Sequence, residues 1–550
     1  MEMDGKTDRE SRRELIFTIL TAMKFLLPVL YAVLSLRLLH KPQCILLVCA
    51  ETLLVFLFTN IVASWSRIVA WLLGVIFLFT IYAQTLVMYF TGSYVQLIML
   101  TNLDSVEALR GKAVLYIGMI VITLVVLLLP IAYIKIPHVK YNVLIMCLLF
   151  AGFCWIPIVG SDYSPYRNAY ALIEKYEMRI ETEERIRAIM DDDSTDCMDE
   201  FYSETVGDGI DRPRNLPSDP NIVLIFTEGL SRHIVTDERG IMPNVATYME
   251  NGLSFENYYD HTAATFRGLI GQLYSSHQLM NGDTNLLISL EDILRNKGYD
   301  TTFVNPEPDQ ELFTDYLDSL GFDTLTSGGI TDEILTDGQT YDLVFESLRT
   351  GAQTGHPQFV AAYTFGTHVG NDSPDIVFED GSNILLNRFY YCDAMFGRFM
   401  DELHESGLAE NTVVIFTSDH ASYVDDDYIL SFYPDYTRFD LFCDTIPLII
   451  YYEGIEPETI DAGGRNSLDL APTILDYLDI DSPNYFLGTS LFLPMNNPDI
   501  ETVFCVPDSD WYVKTDEDEL RNLTEEEAED YMDIIERYLS LTRRTENPVL

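Results

Sequence analysis

Between Leu15 and Val159 the chain carries about five apolar runs, each long enough to cross a bilayer, which takes roughly 20 apolar residues. They lie near Leu15–Leu39, Ile45–Ser64, Val69–Phe90, Ala113–Tyr133 and Val139–Val159. A secretory signal followed by buried core helices does not account for them, because the first run has no small-residue cleavage site and four more follow it. Residues 1–160 are therefore expected to form a transmembrane domain of five helices, integral to the membrane. Glu51 stands inside the second run, very roughly 10 Å from its start near Pro42 at 1.5 Å per residue. An acid at that depth needs a partner, either another helix or a lipid headgroup, and the sequence leaves both open.

Charge separates the remainder of the chain from this part. Residues 1–160 hold 12 Lys and Arg against 8 Asp and Glu, which leaves 22 against 77 of the chain's 34 and 85 for the rest. Lys6, Arg9, Arg12, Arg13, Arg67, Lys135 and Lys140 fall on one side of a five-span arrangement, and Arg37, Lys41, Arg110 and Lys112 on the other. The more basic side, with the N-terminus, is expected to be cytoplasmic, which puts everything after Val159 outside the cytoplasm. So acidic a domain excludes general nucleic-acid binding, which needs clustered Lys and Arg on phosphates. Cys197, Cys392, Cys443 and Cys505 would sit in an oxidising space and could pair, and no metal-type C-x-x-C spacing links them.

Tyr170–Met190 has helical periodicity, and the polar stretch after it reads as a linker, so that residues 161–219 form a juxtamembrane helix and linker. From residue 220 to 550, short apolar runs such as NIVLIF, DTTFV, QFVAAYTF and TVVIFTSD alternate with helical ones such as SLEDILRNKGY, TYDLVFESLRT and LAPTILDYL, with a strand and helix at the C-terminal end. That alternation predicts an α/β domain whose central, largely parallel sheet is covered by helices. Two of its runs are near twins: NIVLIFTE ends on Glu228, and TVVIFTSDH ends on Asp419 and His420. Ligands of open α/β sheets sit beyond the carboxyl ends of the strands, so these three residues can converge on a divalent-cation site. Each acid could instead cap a following helix. QFVAAYTFGTH brings His368 to the same edge, and HTAAT places Thr262 and Thr265 at a helix start, where a hydroxyl can be activated or can serve as an N-cap.

The stretches NIVLIFTEGL, HTAATFRGLIGQLY, GTH, FYYCDAMFGRFMDELHESGLAENTVVIFTSDHA and RNSLDLAPTILDYL resemble the sulfatase-like branch of the alkaline phosphatase superfamily. The five runs ahead of such a domain resemble its membrane-bound members: lipoteichoic acid synthases, phosphoglycerol transferases and lipid A phosphoethanolamine transferases. The resemblance implies one manganese or zinc ion held by Glu228, the Thr262 hydroxyl, Asp419 and His420, with His368 contacting a phosphoryl group. It also implies a Thr nucleophile that takes phosphoglycerol or phosphoethanolamine from a phospholipid donor and passes it to a glycan or lipid acceptor of the cell envelope. Members of the group place a Ser or Thr three residues after the nucleophile; Thr262 and Thr265 fit that spacing, whereas counting from Thr265 meets Gly268.

The departures are as informative. True sulfatases need a Cys or Ser in C/S-x-P-x-R, and no such segment occurs. Where lipoteichoic acid synthases present a His, Trp and Arg pocket, this chain has FVNPEPDQELF, while LIMLTNLDSVEAL resembles the loop that phosphoethanolamine transferases carry between the third and fourth spans. Two alternatives stand beside transfer: a membrane-tethered metal-dependent phosphodiesterase or phosphatase, and a non-catalytic acidic receptor domain.

Overall fold

Large apolar side chains turned outward along a helix suit lipid rather than water, and the N-terminal helices of this chain are of that kind. Leu46, Ile68 and Val114 are exposed. The structure, a computed structural model, describes residues 2–543 except 37–42, 92–93, 102–112, 133–142, 144, 147–163, 192–197, 280–282, 434, 437–442, 507–510 and 517–518. The chain divides into two compact units, Met1–Met178 and Arg179–Leu550.

In the first unit, Arg12–Leu34, Cys44–Ala63 and Arg67–Thr91 are long and apolar enough to cross a membrane. The helix of the fourth apolar run, Ala113–Leu127, is 15 residues long and ends before the run's expected limit. Pro130 supplies no backbone N–H and disfavours helical geometry at Leu129, and the Leu129 carbonyl accepts instead from Lys24 Nζ at 3.0 Å. The fifth expected run lies outside the described residues except for scattered positions. Glu51 is buried, and its carboxylate accepts from the Ser164 hydroxyl and, at 3.4 Å, from Tyr166 N. Those donors open the helix Pro165–Asp191, so a negative charge faces amides that the helix itself cannot satisfy.

The second unit is built on an eight-stranded sheet of order β4-β3-β5-β1-β6-β7-β2-β8. Its strands are β1 (Asn221–Thr227), β2 (Leu253–Glu256), β3 (Asp300–Val304), β4 (Thr324–Thr326), β5 (Gln358–Thr364), β6 (Thr412–Ser418), β7 (Ile449–Tyr451) and β8 (Glu458–Asp461). β7 runs antiparallel to both neighbours and the remaining pairs are parallel. Every residue of β1, β5 and β6 is buried. Along these strands alternate side chains serve opposite faces: Leu224, Ala361 and Ile415 join one core, and Ile225, Ala362 and Phe416 the other. Continuous apolar runs are what a sheet covered on both faces requires.

The segment before β1 packs on this unit rather than hanging free. Ser203 pairs with Asn484, Val206 N donates to Asp481 at 2.9 Å, and Gly209 N donates to Asp476 at 3.0 Å. A second sheet of order β11-β10-β9 comprises β9 (Val503–Val506), β10 (Trp511–Lys514) and β11 (Arg521–Asn522). After it comes the helix Glu525–Thr542, opened by a capping box between Thr524 and Glu527. Cys392, Cys443 and Cys505 are buried and form no disulfide among the described residues, and Cys197 lies outside them.

Leu224 lies on the central strand with no exposed surface. Leu224→Ala is expected to destabilise the second unit by about 2–5 kcal/mol through lost transfer energy and a cavity, read as a lowered melting transition of the purified chain. An unchanged transition would contradict the two-faced core.

Candidate metal centre

Register brings the two strand-end acids together. Thr227, the last residue of β1, pairs with Ser418, the last of β6, and with Thr364, the last of β5. The following residues stay in the ladder: Glu228 N donates to Thr364 O at 3.2 Å and Asp419 N to Thr227 O at 3.4 Å. Glu228, Asp419 and His420, all buried, then offer ligand atoms within 4.8 Å of one another.

Each carboxylate has one oxygen committed and one aimed inward. Asp419 Oδ1 accepts from Gly229 N at 2.9 Å and His420 N at 2.8 Å, while Oδ2 has no hydrogen-bond partner among the described residues. Glu228 Oε2 accepts from Thr265 Oγ1 at 3.0 Å and from the Tyr363 hydroxyl. The inward atoms, Glu228 Oε1 and Asp419 Oδ2, each lie 3.5 Å from His420 Nε2. Four ligands at bond lengths of about 2.1 Å form a tetrahedron whose edges are about 3.4 Å, so the two 3.5 Å edges at His420 Nε2 suit a small divalent cation. His420 Nδ1 lies 2.7 Å from Ala421 O. With the Nδ1 proton donated there, Nε2 keeps the lone pair a metal needs. Neither acid caps a helix.

Electrostatics agrees with the geometry. Burial pushes Asp419 up to about 7, against the pull of His420 and with the push of Glu228. Burial would lower His420, but Asp419 and Glu228 outweigh it and raise it to about 10. Burial also opposes ionisation of Glu228, yet its bond and charge interaction with His420 hold it well below the ordinary carboxylate range. Without a metal, the centre therefore keeps a proton as its cation.

Thr262 is buried in the loop before the helix Thr265–Tyr274, and its Oγ1 has no hydrogen-bond partner among the described residues. It is not the N-cap; that position is Ala264, a non-glycine residue held at φ 79°. Backbone in such a region stores on the order of 1–3 kcal/mol and persists only where the surroundings enforce it. Here they do. Asp260 Oδ2 accepts from Ala421 N at 3.0 Å and Oδ1 from Asp444 N at 3.1 Å. Gln272 Nε2 donates to Ser418 O at 2.9 Å, and a Cβ on Gly268 would stand 2.2 Å from Asp419 O. The Thr262 loop is thus tied to the His420 turn from both sides.

His368 follows β5, stacks on Phe365 with ring centroids 4.6 Å apart, and turns Nδ1 to Val369 O at 3.0 Å. Burial lowers its pKa although the nearby charge of Glu228 raises it. Thr265 reaches Glu228 directly. Glu51 is not part of this cluster; its carboxylate is engaged in the first unit. Sequence reasoning missed Tyr363, Asp260, Tyr423, which stacks on His420 at 4.8 Å, and Arg388, a buried side chain whose Nη1 donates to His368 O at 3.2 Å. Asp260 directly precedes HTAAT and could have been flagged; Tyr363 and Arg388 look like core and helix residues in the sequence.

Because Asp419 and His420 are raised, the metal-free protein holds protons that the unfolded chain would release. Its stability should fall as pH rises, from about 4 to 7 for Asp419 and from about 6.5 to 10 for His420. A bound cation displaces those protons, so calorimetry in buffers of different ionisation enthalpy should show proton release on metal binding and an affinity that increases with pH. Gly268→Ala should push the helix Thr265–Tyr274 off Asp419 and weaken metal binding by at least tenfold, on the scale of outer-shell changes; an unaltered affinity would contradict the close approach.

Residues 220–480 match the family model described as Sulfatase. The chain is 27% identical over 172 residues to the lipoteichoic acid synthase-like YvgJ of Bacillus subtilis (strain 168), covering 29% of this chain and 28% of that protein. It is 30% identical over 143 residues to an N-acetylglucosamine-6-O-sulfatase of Bacteroides thetaiotaomicron, covering 25% and 24%. The chain thus spans about a quarter of the length of these curated relatives. Among solved structures, an alkaline phosphatase superfamily protein from Vibrio parahaemolyticus aligns with a TM-score of 0.48 at 18% identity, over 66% of this chain and 94% of that one. The lipoteichoic acid synthase LtaP from Listeria monocytogenes aligns with a TM-score of 0.45 at 16% identity, over 60% and 94%. Residues 220–480 thus carry the match to the Sulfatase family model, and apolar helices precede them in the chain.

Proposed function

We propose that this chain transfers the headgroup of a membrane phospholipid, phosphoglycerol or phosphoethanolamine, to a glycan or lipid acceptor of the cell envelope through a phospho-threonine at Thr262. The observation that carries the reading is the buried Thr262 hydroxyl, without a hydrogen-bond partner among the described residues, in a loop tied to the Glu228, Asp419 and His420 cluster. One divalent ion, manganese or zinc, would be held by Glu228 Oε1, Asp419 Oδ2, His420 Nε2 and Thr262 Oγ1. Bound there, it would supply positive charge that favours the threonine alkoxide and neutralises phosphoryl oxygen.

The chain's own groups do the rest. Thr262 Oγ1 attacks phosphorus, the P–O bond to the lipid alcohol breaks, and the phosphoryl group remains on Thr262. His368, with its Nδ1 proton held by Val369, takes up a proton at Nε2 and returns it to the departing alcohol. An acceptor hydroxyl then attacks phospho-Thr262 and regenerates the threonine. The apolar helices keep the enzyme beside its donor, with the N-terminus cytoplasmic and the catalytic domain outside. Sulfate-ester hydrolysis is disfavoured because the chain lacks C/S-x-P-x-R. A phosphodiesterase would use the same first step and finish on water.

Incubation with a phospholipid labelled in its headgroup phosphate, followed by peptide mapping, tests the reading. Label is expected on Thr262, ping-pong kinetics with an acceptor present, and no label or turnover in Thr262→Ala. Label on Thr265 would move the nucleophile, and transfer without any protein-bound label would replace the two-step route with direct attack by the acceptor.

A further inference from the structure

Glu228 is held more tightly than a metal-binding acid requires, and the way it is held discriminates between cations. One oxygen, Oε2, takes two hydroxyl donors from opposite parts of the domain: Thr265, the first residue of the helix Thr265–Tyr274, and Tyr363, on β5 and 135 positions away in sequence. The Tyr363 ring is fixed by its surroundings. It is 1% exposed, with Phe313 at 5.6 Å and Phe365 at 6.3 Å between ring centroids. The phenol has no freedom to leave Glu228, and a carboxylate oxygen that already accepts two hydroxyl hydrogens has spent the lone pairs it would offer a cation. Only Oε1 is left to face His420 Nε2.

Asp419 is treated alike: two backbone amides hold Oδ1 and leave Oδ2. The centre therefore offers single oxygens where a large cation would want pairs. Calcium takes 6–8 oxygen ligands, often with bidentate carboxylates, whereas zinc accepts four mixed nitrogen and oxygen ligands. The backbone amides at Asp419 cannot be removed by changing a side chain. The two hydroxyls at Glu228 can.

We infer that Tyr363, acting with Thr265, is a positioning residue that keeps Glu228 a one-oxygen ligand and thereby sets the centre's preference for small divalent cations over calcium. The inference rests on the metal reading of Glu228, Asp419 and His420. It assigns Tyr363 no contact with substrate, and it gives Thr265 a role at the carboxylate rather than as a second nucleophile.

The test uses the full chain in detergent and measures manganese, zinc and calcium affinities by competition with a chromophoric chelator, for wild type, Tyr363→Phe, Thr265→Val and the double variant. Tyr363→Phe should weaken manganese and zinc binding by about tenfold, the lower range for loss of an outer-shell partner. The double variant, with Oε2 released, should raise the ratio of calcium to manganese affinity by a further tenfold or more, and the two changes should be non-additive because they act on one atom. Tyr316→Phe is the control for a merely structural effect. Tyr316 belongs to the same core cluster but donates to Phe266 O, and it should leave the ratio unchanged. A double variant that folds, by its circular dichroism and metal-free melting temperature, and keeps the wild-type ratio would overturn the inference. If Tyr363→Phe does not fold, Thr265→Val alone must shift the ratio in the same direction, and no shift again overturns it. Failure of the wild-type chain to bind any of the three ions would instead overturn the metal reading itself, and this inference with it.

Discussion

Two buried carboxylates at the ends of adjacent parallel strands repel each other, and the second unit is arranged around that repulsion. Glu228 and Asp419 are both shielded from water, and no Lys or Arg forms an ion pair with either among the described residues. What makes the arrangement tolerable is the division of labour between oxygens. Backbone amides and hydroxyls satisfy one oxygen of each acid, and the remaining pair shares whatever cation the centre holds, a proton on His420 or a metal. Removing one partner of such a buried charged group typically costs several kcal/mol, so stability and chemistry draw on the same atoms.

The sheet supplies the geometry that this requires. Because β1 and β6 are parallel and in register, their last residues lie at one level and the next residues emerge side by side. β5, in register on the other side of β1, delivers Tyr363 and, past its end, His368 to the same edge. The helix Thr265–Tyr274 closes the site only because glycine at 268 lets its backbone approach Asp419, and Asp260 locks the preceding loop to the His420 turn. Strain at Ala264 is then the local sign that the Thr262 loop is held by its surroundings rather than by its own preferences.

Much of this arrangement is legible in the amino-acid sequence. Bilayer-length apolar runs are a compositional signal that needs no periodicity, although the fourth run overstates its helix, because Pro130 lies within the apolar stretch and the helix ends ahead of it. The twin strands β1 and β6 stand out because both faces of each are buried, and their terminal acids follow. β2 and β8 do not: each is four residues long, too short for the alternation of Leu253 and Phe255 with Ser254 and Glu256 in β2 to stand out, and β8 is largely exposed. The partners of Glu228 are hidden for a different reason. Tyr363 sits in a wholly apolar-looking strand, and only the three-dimensional pairing of β1 with β5 turns a core tyrosine into a hydrogen-bond donor to the strand-end acid Glu228.

The central claim is that Glu228, Asp419, His420 and Thr262 form one divalent-metal centre. Metal-edge X-ray absorption of the purified full chain tests it most directly. The account predicts one ion per chain, with oxygen and nitrogen neighbours at about 2.0–2.2 Å, no sulfur, and the scattering of a single imidazole, and predicts that the spectrum is lost in Asp419→Asn. A chain that holds no stoichiometric metal, or whose metal spectrum is unchanged in Asp419→Asn, would contradict it.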